Sequence, residues 1–516
     1  MNRLRGPLRP LSASFRDDSL VRARALLVAR LFTALYLVEL GVNLVRPHLL
    51  PHEPALSIFY SYKGVQGKLN RLLATPEAVF WVVLAGIALG AVLQIAAAVV
   101  RRFGNGLTDR RAATLTWITV GCLLLPPGLI PIVVLTEFFP VTLLCVPTTL
   151  AVLLLLRAVV RFGRVSWTAL CGAFAWGALL VFGIGRADTG LASGAIEGLL
   201  DKDVFTHLGQ NGLSGIGKAN AAVSKSTDLL IVHLSVVNSL ALAAGIVLLL
   251  TALRHRITDT VTGLVLGAAA GLGYNFVAGV LYIQIYGTLG PLFGPTGGFE
   301  YWIRQSIGVF GGEVTFGALL GAACGAAMSA RRAGAPADGV SRGRLMALGL
   351  LAAAGGEVGA ETVSGWLASL SHVTTGTTFD TLVASPFFWL LPQLPFLILA
   401  VALLVTGMRT RGHTLRAAVS AEAAAPQGAA SGAITAGETA VLGSPQLRFW
   451  ALVNTWRRYG RSTALALHRI QSAQLDLAAW RAQRDSGAQR DGEESRGGEL
   501  RLRVLRLKNE RRAVHV

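Results

Sequence analysis

Over most of the first 407 residues, apolar positions run together in long blocks, and polar positions gather in the short stretches between them. AVFWVVLAGIALGAVLQIAAAVV, from Ala78 to Val100, is one such block. A run of about 18 or more apolar residues is long enough to cross a bilayer as a helix. Hydropathy predicts spans near 25–45, 78–100, 112–135, 139–156, 166–185, 229–253, 260–286, 303–330, 345–370 and 385–407. Pro126, Pro127, Pro131 and Pro140 interrupt the third and fourth, which membrane helices tolerate where neighbours re-satisfy the freed backbone groups. The expected fold is all-α: a polytopic bundle of about ten transmembrane helices.

Composition agrees with that pattern. Of 516 residues, 53% are hydrophobic and 15% charged, against about 25% charged in an ordinary soluble globule. The formal net charge of +19 would suit a nucleic-acid binder, but its distribution points elsewhere. Basic residues follow alternate spans: Arg101, Arg102, Arg110 and Arg111; Arg157, Arg161 and Arg164; Arg254 and Arg256; Arg331, Arg332, Arg342 and Arg344. That alternation is the positive-inside pattern, and it predicts both termini in the cytoplasm. The intervening stretches 46–76 and 186–228 then face outward, the second carrying Asp188, Glu197, Asp201, Asp203 and Asp228 around its end. The expected setting is a multi-pass protein of the cell membrane with the lipid bilayer as partner and no nucleic acid.

The ends read differently from the middle. Residues 1–24 form a basic arm (Arg3, Arg5, Arg9, Arg16) leading into a span too long for a signal core, so that span is expected to stay as an anchor. The membrane domain covers 25–407, an Ala/Gly/Ser-rich linker 408–445 and a basic amphipathic tail 446–516. In the tail, Phe449, Val453 and Trp456 follow helical spacing beside Arg457, Arg458 and Arg461. Such a helix either lies on the anionic inner leaflet or docks on the protein's own loops. Residues 483–498 read as disordered, and RLRVLRLKNERR after them as a short basic helix.

Chemistry in such a chain is sought among polar residues inside spans, because they are expensive there. Glu39, His233, Glu313, Glu357 and Glu361 qualify, with Asn238 and Asn275 as polar companions. Glu357 and Glu361 are four apart and share a helix face, where two carboxylates could serve proton transfer, cation binding or general-base work. The plainer alternative is a protonated carboxyl bonded to a neighbouring helix. His233 lacks the companions a zinc site needs, and Cys122, Cys145, Cys171 and Cys324 show no metal or redox spacing. No metal site and no cofactor are expected. GLGYNF misses a dinucleotide fingerprint, since Phe276 stands where its third glycine belongs.

Glycines are more specific. Gly263, Gly267 and Gly271 recur at four-residue intervals, as do Gly317, Gly321 and Gly325. Small residues so spaced let membrane helices approach closely, so the seventh and eighth spans are expected to form a tight central pair.

LSVVNSLALAAGIVLLL, TGLVLGAAAGLGYNFVAGVLY and RQSIGVFGGEVTFGALLGAACG follow one another in that order. Together they resemble the PrsW-type glutamic intramembrane proteases, distant relatives of the CAAX-processing membrane proteases, over roughly 115–405. That family carries Glu-Glu-x-x-Lys on one span, Gly-Leu-Gly-Phe-Ala-x-x-Glu-Asn-x-x-Tyr on the next, and an Arg followed by a His on a later one. Here the glutamate pair falls at Asn238 and Ser239, the Glu-Asn pair at Ala278 and Gly279, and the histidine at Gly312 or Glu313, while Tyr282 and Arg304 match. A glutamic protease needs a carboxylate to activate water, and neither alanine nor glycine can act as a general base.

The resemblance therefore implies a peptide-hydrolase framework with degenerate catalytic positions. The leading expectation is a catalytically inactive PrsW-like protein that binds or scaffolds other membrane proteins or single-span segments. Two alternatives are an active protease using Glu313, Glu357 and Glu361 as displaced acids, and an ion- or proton-coupled transporter.

Overall fold

In a computed structural model, the described residues are helical, with no strand among them. They comprise parts of 22–34, then 77–103, 109–160 except 126–127, 165–183, 239–253 except 241, 257, 259–293, 301–332, 342–370, 383–425, 432–485 and 494–513. Glu39, His233, Asn238 and the stretches 46–76 and 186–228 lie outside them.

The membrane part contains α1 (Glu77–Phe103), α2 (Asp109–Leu124), α3 (Leu129–Glu137), α4 (Phe139–Val159), α5 (Trp167–Ala175), α6 (Leu242–Ala252), α7 (Thr260–Phe293) and α8 (Glu313–Arg332). It continues with α9 (Arg342–Leu350), α10 (Gly356–Leu370), α11 (Ser385–Leu390) and α12 (Leu394–Ala423). Among the described residues three stretches are long and apolar enough to cross a membrane: Phe139–Val159, Thr260–Gln284 and Pro386–Ala423. Two stretches read as single spans are broken. Residues 112–135 divide between α2, which ends at Leu124, and α3, which starts at Leu129. Residues 303–330 divide into a π-helical turn, Ile303–Ile307, and α8, with a bend between them.

That bend depends on glycine. Gly312 has φ +54, a left-handed conformation that a side chain disfavours. Its N–H donates a 2.6 Å hydrogen bond to Oε1 of Gln393, which is itself almost wholly buried. A buried side-chain acceptor thus satisfies one of the orphan donors at the start of α8.

The three long stretches differ in surroundings. The most apolar window of Thr260–Gln284 is 94% buried, against 22% for Phe139–Val159 and 11% for Pro386–Ala423. α7 is apolar all round, so it sits inside the bundle while α4 and α12 expose their apolar sides at the periphery.

Glycines let the backbones around α7 approach on two sides. A Cβ on Gly267 would collide with the Gly317 carbonyl oxygen and lie 2.9 Å from the Gly321 Cα. One on Gly321 would strike the Gly263 carbonyl, and one on Gly325 would lie 2.6 Å from the Asp259 carbonyl oxygen. Gly271 meets the Glu313 backbone in the same way. On the other side, a Cβ on Gly273 would lie 2.8 Å from the Ala178 nitrogen, and Gly177 abuts the Ala270 carbonyl. With lipid outside and no water to expel, dispersion at such contacts holds the helices together.

Past about residue 407 the chain leaves the apolar regime. The stretch Pro386–Ala423 has 38 residues, far more than the roughly 20 a bilayer needs, so its end carrying Arg409, Arg411 and Arg416 projects beyond the membrane. There it joins α13 (Ala436–Gly443), α14 (Pro445–Asp485) and α15 (Glu494–Ala513) around Leu415, Val419, Leu442, Leu477 and Val504. Helix therefore occupies much of the stretch read as a linker. α13 starts with a capping box formed by Thr435 and Glu438. Two polar clamps tie the unit: Glu422 pairs with Arg481 at 2.6 Å and Arg501 at 2.5 Å, and Glu438 with Lys508 at 2.7 Å.

Candidate functional site

Asn275, Ala278, Gly279 and Tyr282 are spaced i, i+3, i+4 and i+7 on α7, so they share one helix face. Asn275 and Ala278 are almost fully buried and Tyr282 is half-buried. The π-helical turn that precedes α8 covers this face. The Arg304 guanidinium carbon lies 4.2 Å from the centre of the Tyr282 ring, a cation–π contact. Next to it, Gln305 is 5% exposed and turns its amide toward Gly279: a Cβ on that glycine would lie 3.3 Å from Nε2. Oε1 of Gln305 accepts a 2.8 Å hydrogen bond from Thr148 Oγ1 on α4. Two residues before Ile303, Tyr301 donates its hydroxyl to the Leu144 carbonyl at 3.1 Å.

The three candidate acids lie on two helices, α8 and α10. Glu313 opens α8, is half-buried, and feels the Arg304 charge. Glu357 lies on α10 with 3% exposure. The adjacent Gly356 is wedged between aromatic rings, since a Cβ there would lie 2.7 Å from Phe396 and 3.0 Å from Phe316. Phe316 is three residues beyond Glu313, so Gly356 packs α10 against the first turn of α8. Glu361 follows one turn later in α10, and its side chain lies outside the described residues. Ser239, shortly before α6, is 1% exposed.

Three residues were not singled out by sequence reasoning: Gln305 and Thr148 at this face, and Gln393 at the bend before α8. Each is a polar residue within an apolar stretch, the same signal that selected Asn275. Their partners lie 157 and 81 positions away in the chain, where no local pattern reaches.

Residues 165–358 match the PrsW family intramembrane metalloprotease. Over these residues the chain is similar to that family. The match runs from just before α5 to Val358 in α10, narrower than the 115–405 over which the resemblance was drawn; it contains Asn275, Tyr282 and Gln305, while Thr148 lies outside it. No curated protein and no solved structure matches the chain.

A metal is implied by that family description, and the donor set can be tested against it. Among the described residues no three His, Cys, Asp or Glu side chains group closely enough to hold a metal ion. Where the resemblance aligns the family's Glu-Asn pair, α7 carries Ala278 and Gly279, and the neutral Gln305 amide packs on Gly279. Zinc in a catalytic site takes three protein ligands of nitrogen, sulfur or carboxylate type. The described residues of this face do not fit one.

Proposed function

We propose that this is a catalytically degenerate PrsW-type membrane protein that binds or scaffolds membrane segments. One observation carries the reading: the Gln305 amide, tied to Thr148, covers Gly279 where the family places half of its Glu-Asn pair. An amide held by a hydroxyl neither takes a proton from water nor ligates a metal as a carboxylate does. The helix framework persists around it, with α7 packed on α8 through glycine and on α5 at Gly273. A framework without its acid retains the capacity to receive a hydrophobic helix.

The same proposal includes ten spans with both termini on the cytoplasmic side. The alternation of arginine-rich connections supports it, together with the apolar helices Leu84–Val100, Arg111–Leu124, Trp167–Val181, Leu242–Ala252 and Glu313–Met328 beside the longer ones.

The test is reconstitution of the purified full chain with labelled single-span proteins in proteoliposomes. Capture of some of these without cleavage is the expected result. A second reading, displaced-acid catalysis, is favoured by the buried Glu357 on α10, whose neighbour Gly356 packs against the first turn of α8 that carries Glu313. Cleavage by the wild type that disappears in Glu313→Gln or Glu357→Gln would replace the first reading with this one.

A further inference from the structure

α14 does not run straight. Gly460 has φ 81 and ψ 177, outside any helix, and divides it into two arms. Phe449 and Trp450 on the first arm and His468, Ser472 and Leu475 on the second line one cavity of about 550 Å³. Phe449 and Leu475 would lie ~39 Å apart along a straight helix, so the arms fold back on each other. Ala158, at the end of the membrane helix α4, lines the same cavity, which places the hairpin beside the mouth of the bundle.

The first arm has two unlike faces. Arg448 is 7% exposed and turned inward. Phe449, Trp450, Trp456 and Tyr459 are between 55% and 61% exposed, although docking on the protein's own surface would have covered them. Arg457, Arg458 and Arg461 are exposed at the bend. Large amphipathic rings and guanidinium groups on one extramembrane edge are the composition of a membrane–water interface. Rings settle at headgroup depth and arginines meet lipid phosphates.

We infer that the bend of this hairpin is an interfacial anchor, seating Phe449, Trp450, Trp456 and Tyr459 in the headgroup layer of an anionic leaflet. The occupant of the exposed face is the lipid surface from which α4 and α12 emerge. Three features select it over a second copy or a protein partner: the positive charge at the bend, the tethering of the hairpin to helices that leave the membrane, and the contact with the end of α4. The consequence is orientation, because seating the hairpin fixes the extramembrane unit against the bilayer. This inference is independent of whether the PrsW-type face is catalytic.

A photoreactive benzoylphenylalanine at position 456 of the full chain tests it directly. The protein is placed in nanodiscs of phosphatidylcholine alone or with one-third phosphatidylglycerol, illuminated, and its adducts weighed. Lipid adducts, enriched in the anionic discs, are expected. Arg457→Gln, Arg458→Gln and Arg461→Gln together should lower the anionic-disc yield at least ~10-fold. Adducts confined to protein, whether a second copy or the chain's own segments, would overturn the inference. So would equal lipid yields in both discs. A second probe at exposed Ala440, on α13, should give no lipid adduct and guards against indiscriminate labelling.

Discussion

Thr148 and Gln305, on helical segments far apart in the chain, share a 2.8 Å hydrogen bond that holds the Gln305 amide against Gly279. Gly279 on α7 is therefore covered by a side chain with its own anchor. A methyl group on Gly279 must displace that amide by a few tenths of an ångström. Gly279→Ala should cost about 1–2 kcal/mol. In a Gln305→Ala background the same change should cost less than half as much, a coupling of neighbours measurable in a double-mutant cycle of detergent-solubilised thermal stability. Additive effects would show that Gln305 does not fill this space.

The α7–α8 zipper makes a sharper distinction. Gly267→Ala drives a Cβ into the Gly317 carbonyl, where the obstacle is backbone and cannot rotate away. Gly359, on α10, has open space around the same position. Gly267→Ala should lower stability by about 1–3 kcal/mol, whereas Gly359→Ala should be neutral or mildly stabilising. Heating both variants and following the monodisperse fraction by size exclusion reads the difference.

The glycine zipper was legible because it is local. Four-residue spacing puts small residues on one face of each helix, and composition alone then marks the faces that approach. The polar cover was not legible, since it needs α4, the Ile303–Ile307 turn and α7 brought together in space. Neither was the break before α8: the span 303–330 reads as continuous hydropathy, and only the positive φ of Gly312 and its bond to Gln393 end the helix there. In the tail, amphipathic spacing announced the first arm of α14. The partners of Glu422 and Glu438 lie on other helices, beyond the reach of any periodicity.

Asp259 links the motif helix to the extramembrane unit. Its Oδ1 accepts from the Thr262 N–H at 2.9 Å and from the Thr262 hydroxyl at 2.7 Å, capping α7, while Oδ2 pairs with Arg411 Nε at 2.8 Å. Arg411 also donates to the Thr262 hydroxyl at 3.0 Å. Asp259→Ala removes a cap and leaves a mostly buried guanidinium short of its counter-charge, which together cost about 2–4 kcal/mol. Arg411→Ala should cost less alone, and the double variant less than the sum. Trypsin sensitivity beyond residue 411 should rise in both single variants if the link also steadies the tail.

Acid should loosen the tail before the membrane bundle. Burial pushes the Glu422 carboxyl upward, but hydrogen bonds from Arg501 and Arg481 outweigh it and hold the group below the ordinary carboxylate range. Glu438 behaves alike: burial opposes ionisation, and Lys508 with the Thr435 N–H more than offsets it. A carboxylate with a depressed folded pKa contributes stability that is fully present above its unfolded value, near 4.5, and is lost as pH falls through the lower folded value. The tail is therefore expected to keep its packing at neutral pH and lose it below about pH 4. Trp480, 5% exposed in the tail core, reports this: the fluorine signal of fluorotryptophan at that position should shift to its unfolded value on acidification. Glu422→Gln should weaken the packing already at neutral pH and flatten the acid response. An acid midpoint unchanged in Glu422→Gln and Glu438→Gln would mean that other groups govern the transition.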